Sequence, residues 1–280
     1  YVVFDGLTLE PLVVEGVLGK SIDGDDLDEV RVASIVAVPG ATEWALALKE
    51  SGHVGIVDYA KPGFPMVSRI AAERFLHDGG LDATGRYFLV AANATNRMVA
   101  IDLKEHKLAA SFETGVLPHP GRGANWIDPT FGRVGATTHM GENTLAIFGA
   151  DPEGQPQNAW KVVREVTLPA AGSLFLKTHP ASPWVVADMT LATDTKAMRQ
   201  LCAYGKQAGK IDHCFEVTTH GKVVHPEFNR AGDEIWVSVW DTDGELVVYD
   251  STSLAEKARI TGLKTPTGKF NVYNTAHDVY

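Results

Sequence analysis

The sequence predicts an all-β chain, a β-propeller of about five four-stranded blades. Three observations predict it. Helical periodicity is poor throughout, whereas short runs of Val, Ile, Phe, Tyr and Trp alternate with clusters of Gly, Asp, Asn and Pro. One segment shape recurs, a strand closed by an acidic or glycine turn and followed by a second strand. It stands at Val2 to Gly6, Gly55 to Tyr59, Val99 to Leu103, Ala146 to Asp151 and Val247 to Ser251, with a weaker copy at Cys202 to Lys206. The copies fall roughly 45–55 residues apart, the spacing of propeller blades.

Within a copy the elements keep one order. The turn Ala83 to Arg86 leads into the strand Tyr87 to Ala92. The polar turn Asn93 to Arg97 leads into Met98 to Asp102, and the last strand is Leu108 to Phe112. The copy that opens at Ala231 to Glu234 runs the same course through Ile235 to Trp240 and Glu245 to Asp250. The Asp after the third strand is expected to cap a tight turn, because its carboxylate can accept backbone N–H groups just ahead of it. The acidic run Asp23 to Glu29 reads as a solvated inter-strand loop. Trp236 and Trp240 alternate with small residues and are expected to pack. Asn93-Ala94-Thr95 fits a glycosylation pattern, but its residues already suit the blade turn in which they lie.

Composition narrows the function. The chain has 280 residues, is 45% hydrophobic and carries a formal net charge of -10, so no basic stripe suits nucleic acid. No apolar run reaches the roughly 18 residues of a spanning helix. The chain opens on Tyr1-Val2-Val3-Phe4-Asp5, which reads as a strand in progress, so the N-terminus of a larger protein is expected to precede it. Cys202 and Cys214 have neither metal-ligand nor haem-attachment spacing. They are expected as small buried side chains, with a bridge between them left open.

Two segments carry the chemistry. Phe75 to Gly80 and Leu117 to Asn125 each hold one histidine, His77 or His119, among Gly and Pro. Both histidines are expected on rigid loops. They lie about one blade period apart, so equivalent edges of adjacent blades can turn both toward a common axis. Beside Arg122, two such imidazoles can donate protons and hold an anion. His139 and His179 follow strand ends and read as structural.

These two segments, together with Gly172 to Pro180 and Thr265 to Asn274, resemble the haem d1 domain of cytochrome cd1 nitrite reductase. The resemblance runs along essentially the whole chain. It implies a periplasmic, eight-bladed propeller with haem d1 on its axis, of which residues 1–280 form the C-terminal part. An N-terminal cytochrome c domain with haem c, the first blades and the proximal iron ligand would lie upstream, so this piece by itself is expected to be inactive. The implied reaction is the one-electron reduction of nitrite to nitric oxide and water in denitrification. The implied partners are a small electron donor, a cytochrome c or cupredoxin, and a second copy in a homodimer.

Residue by residue, His77 and His119 match the catalytic pair on the substrate side. Arg122, Phe175, Thr267 and Gly268 match positions that line haem d1, and no residue here matches a metal ligand. Val223 to Asn229 places His225 where the reductase pattern carries Gln. A histidine there resembles the related dihydro-haem d1 dehydrogenase of haem d1 biosynthesis. His225 is therefore a cofactor-binding candidate and the dehydrogenase an alternative reading. A non-catalytic binding platform is a second alternative.

Overall fold

Apolar runs buried on both faces become the middle strands of stacked sheets. The computed structural model describes residues 1–266, so Thr267 and Gly268 lie outside the described residues. A hairpin comes first, β1 (Val2–Phe4) with β2 (Pro11–Val14). Five four-stranded antiparallel sheets follow, each a meander in chain order. The first holds β3 (Val32–Ala37), β4 (Glu43–Leu48), β5 (His53–Asp58) and β6 (Met66–Ala71). The second holds β7 (Leu76–Leu81), β8 (Tyr87–Ala92), β9 (Arg97–Asp102) and β10 (Lys107–Glu113). The third holds β11 (Ala124–Asp128), β12 (Gly132–Thr137), β13 (Thr144–Gly149) and β14 (Val162–Thr167). The fourth holds β15 (Leu176–Thr178), β16 (Trp184–Ala187), β17 (Gln200–Gly205) and β18 (Lys210–Glu216). The fifth holds β19 (Lys222–Phe228), β20 (Glu234–Trp240), β21 (Gly244–Asp250) and β22 (Glu256–Leu263).

Five of the six recurring sequence segments are the third strands β5, β9, β13, β17 and β21, and the other, Val2 to Gly6, holds β1 of the hairpin. Their aspartates cap the following turns. Asp58 Oδ1 accepts the N–H of Ala60 at 3.0 Å. Asp102 Oδ1 accepts those of Lys104 and Glu105 at 3.0 and 3.1 Å, and Asp250 Oδ1 those of Thr252 and Ser253 at 3.1 and 2.8 Å.

The core lies between the faces of neighbouring sheets. Val90, Val99 and Ile101 pack with Val36, Val54 and Ile56. Phe112 of the second sheet meets Phe148 of the third edge-on at 5.1 Å. Leu145 and Ile147 pack with Leu176 and Val185, and Leu201 and Ala203 with Val237 and Val247. Every position of β8 is buried, which is why its sequence is a continuous apolar run rather than an alternating one. First strands touch one another, β3 with β7, β11 with β15 and β15 with β19. This inner position of the first strand is the propeller-like feature that places the site. Among the described residues no helix is long and apolar enough to cross a membrane.

Three expectations meet the structure here. Asp23 and Asp25 lie on an exposed loop, held by Arg74 at 3.5 and 3.2 Å. Trp236 is half-buried, with Nε1 donating to Glu234 at 3.0 Å, but Trp240 is 39% exposed. It ends β20 opposite Lys222. Cys202 and Cys214 form a disulfide, because they face each other across β17 and β18 with Cα atoms 4.0 Å apart. Linear spacing does not show that register; antiparallel pairing creates it.

Closing this short loop removes about 3 kcal/mol of unfolded-chain entropy. Native protein is therefore expected to show no free thiol. Replacing both cysteines by serine is expected to lower the urea unfolding midpoint correspondingly, and an unchanged midpoint would contradict that contribution.

Candidate functional site

The site is built from bulges in inner strands. In β7, Leu76 faces Ala92 and Gly79 faces Val90, so His77 and Asp78 stand opposite the single residue Ala91. In β19, Val224 faces Ser238 and Glu227 faces Trp236, so His225 and Pro226 stand opposite Val237. A bulge re-aims side chains out of the regular alternation. Pro226 has no N–H to contribute to a ladder and is tolerated at such a place. His225 has φ +53°, a left-handed conformation uncommon for a residue with a side chain.

His77 thus lies within a strand, not on the loop expected for it. The glycines that suggested a loop serve close approach instead. A Cβ on Gly80 would stand 2.0 Å from the Arg122 carbonyl oxygen, and one on Gly79 would stand 2.6 Å from that of Leu89. His119 does lie on a loop, pinned where its N–H donates to the Thr138 carbonyl at 2.8 Å.

The side chains converge. The His77 and His119 rings are 5.1 Å apart between centroids. Asp78 lies between them, Oδ1 3.2 Å from His77 Nδ1 and Oδ2 3.2 Å from His119 Nδ1. His119 Nδ1 also lies 2.7 Å from the Leu174 carbonyl oxygen. A carbonyl only accepts, so His119 Nδ1 carries a proton and Nε2 is the nitrogen left for a ligand. Phe175 meets His119 edge-on at 5.7 Å, and His225 lies 4.2 Å from Phe175. Gly121, at φ +61°, makes room for that ring, since a Cβ there would stand 2.5 Å from Phe175 Cδ1.

Behind these groups sits Asp188, fully buried. Its Oδ1 accepts the N–H groups of Leu174 and Phe175 at 2.8 and 3.1 Å and the Ser173 hydroxyl at 3.2 Å. Burial outweighs these donors and pushes its carboxyl up to about 6. Beside Phe175 opens a recess of about 100 Å³, bordered by Arg122, Lys177, His225 and Glu227. Lys177 and Glu227 are buried and 3.7 Å apart. The rings of Phe175 and His225 and the Arg122 guanidinium on one rim suit the edge of a planar macrocycle bearing carboxylates, such as haem d1, while Lys177 is held by Glu227.

Donor atoms of His77, Asp78 and His119 all lie within 4.8 Å of one another. Asp78 stands within ion-pair distance of both rings whenever they are protonated. A larger cleft of about 750 Å³, bordered by Trp126, Ile127, Arg133 and Lys206, contains none of these groups. His139 and His179 are structural in their contacts. The buried His139 donates its Nδ1–H to the Thr144 carbonyl at 2.8 Å, and burial holds it below the usual histidine range. His179 Nδ1 accepts the Ala181 N–H at 3.1 Å.

The structure therefore brings together His77, His119, Arg122, Phe175 and His225. Sequence reasoning missed Asp78, Lys177, Asp188 and Glu227. Asp78 was visible as the neighbour of His77, but Asp188 carried no local signal.

Residues 1–275 match the model of the family described as "Cytochrome D1 heme domain". The chain is 40% identical over 300 residues to a nitrite reductase of Stutzerimonas stutzeri, covering 100% of this chain and 54% of that protein. It is 32% identical over 248 residues to a dihydro-heme d1 dehydrogenase of Pseudomonas aeruginosa, covering 87% of this chain and 47% of that protein. Among solved structures, it resembles a dihydro-heme d1 dehydrogenase, NirN, in complex with DHE. The TM-score is 0.78 at 27% identity, over 97% of this chain and 54% of that one. A hydrazine synthase of Kuenenia stuttgartiensis, at 12% identity and TM-score 0.63, shares the fold alone. The chain thus spans about half the length of these two curated relatives.

Asp188 generates a pH prediction. Its carboxyl is raised from 3.8 to about 6 in the folded state, so between these values the folded state holds more protons than the unfolded state. Its contribution to stability is complete below about 4 and is lost as pH rises through about 6. Urea midpoints of wild type and Asp188→Asn are expected to differ by an amount that changes between pH 4.5 and 7, with the wild type losing ground as pH rises. A constant difference would contradict this.

Proposed function

The chain belongs to the cytochrome d1 haem domain family, and from that premise we propose that it forms the substrate side of a haem d1 site that reduces nitrite to nitric oxide and water. The observation that carries this reading is the His77–His119 pair, set 5.1 Å apart across Asp78 at the edge of an aromatic and cationic recess. Haem d1, when bound, supplies the electron. Phe175 and His225 would lie against its ring, and Arg122 would meet its acidic side chains.

The remaining requirements fall to the protein. Reduction of nitrite to nitric oxide consumes two protons and releases water. Because His119 Nδ1–H is committed to the Leu174 carbonyl, His119 can pass a proton to substrate only from Nε2, as an imidazolium. His77, one-third exposed at its side chain, supplies the second group. Asp78 and His119 are 8% and 6% exposed, so an anion beside His119 feels its charge strongly. The disulfide agrees with an oxidising compartment, and the reading carries with it a periplasmic location, a small electron-donor protein and a homodimer.

One observation favours a second reading. His225 lies tilted against Phe175 from a left-handed backbone position, and it stands where a histidine marks the dehydrogenase resemblance. In that reading His225 and the pair act on a propionate side chain of a dihydro-haem d1 precursor.

The test is to load the full-length protein with haem d1, reduce it, and compare nitrite consumption with oxidation of the dihydro precursor. Nitrite turnover is expected; rapid precursor oxidation without nitrite turnover would overturn the first reading in favour of the second. In the same assay His119→Ala is expected to lower nitrite turnover by about 10²-fold or more, the scale of a lost proton donor. An unchanged rate would remove His119 from the mechanism.

A further inference from the structure

We propose that Asp78 is a positioning residue, a carboxylate set between the two site histidines that orients both rings and offers them a shared counter-charge. This rests on the reading of His77 and His119 as proton donors. Consecutive residues of a regular strand point to opposite faces. The bulge opposite Ala91 breaks that rule and sets His77 Nδ1 and Asp78 Oδ1 3.2 Å apart, although they are sequence neighbours. The other oxygen lies 3.2 Å from His119 Nδ1, which arrives from the loop before β11. One carboxylate thus divides its two oxygens between two imidazoles. A buried carboxylate needs a compensating charge, and an imidazolium beside it is stabilised in return.

The surrounding charges make this assignment specific. From the loop before β11 comes Arg122, and from β15 comes Lys177, which lies 3.7 Å from Glu227 of β19. His225 of β19 packs on Phe175, and Asp188 is engaged by Ser173, Leu174 and Phe175. From β3 comes only the Ser34 hydroxyl, donating to the His77 carbonyl at 2.9 Å. Asp78 is the carboxylate placed against both rings. Its loss should affect His77 more than His119, because His119 keeps its contact with the Leu174 carbonyl.

The experiment is an NMR titration of the imidazole nitrogens in the chain as it stands, with wild type, Asp78→Asn and Asp78→Glu. Asp78→Asn is expected to lower the protonation midpoints of His77 and His119 by about one pH unit or more, the scale of a lost adjacent counter-charge. Asp78→Glu is expected to restore part of the shift. His213, whose own carboxylate neighbour Asp212 is 2.8 Å away, should not move and serves as the internal control. Unchanged midpoints in folded Asp78→Asn would overturn the proposal. Should that variant fail to fold, Asp78→Ser is titrated in its place, and unchanged midpoints there would overturn the proposal equally. The readout does not involve nitrite. Shifted midpoints with full nitrite turnover in His119→Ala would sink the functional reading alone, and the converse would sink the counter-charge alone.

Discussion

The contact between His119 Nδ1 and the Leu174 carbonyl is the interaction on which the site depends. It closes a circuit between the loops that enter the third and fourth sheets. Leu174 is fixed by Asp188, Ser173 reaches both Asp188 and the Thr138 hydroxyl, and Thr138 donates back to the His119 carbonyl at 3.2 Å. Each buried polar group left unmet would cost about 1–3 kcal/mol, so the members hold one another in place. The tautomer of His119 is a consequence of this circuit. The direction in which the imidazole can deliver a proton is therefore set by backbone geometry two loops away.

A second constraint acts on the inner strands. Where the first strands of neighbouring sheets crowd together, regular alternation would turn His77 and Asp78 to opposite faces. The bulge brings them to one side, and the same device recurs at His225 and Pro226. Close approach then demands glycine, at Gly80 against the Arg122 carbonyl and at Gly121 against Phe175. The candidate site residues and those that make the site compact are thus interleaved in the same short segments.

Much of this was legible in the sequence. The third strands announced themselves because Val, Ile and Tyr runs ended in an Asp whose turn-capping role is local. His119 could be placed on a loop because Pro and Gly flank it. What stayed hidden depends on register. The bulge that puts His77 inside β7 is visible only once Ala91 is known to face it, and the glycines beside it read as loop for want of a partner strand. The Cys202–Cys214 bond likewise follows from pairing between β17 and β18. Asp188 is about sixty-nine positions from His119 in the chain, and no local pattern links the two. The exposure of Trp240 reflects its place at a strand end, which alternation by itself does not reveal.

The account stands or falls on where the substrate sits relative to the two imidazoles. The most direct measurement is a crystal structure of the full-length, haem d1-loaded protein with nitrite bound. The account predicts nitrite oxygens within about 3 Å of Nε2 of both His77 and His119, with Asp78 on the far side of the rings. Nitrite bound with neither imidazole in reach would contradict it.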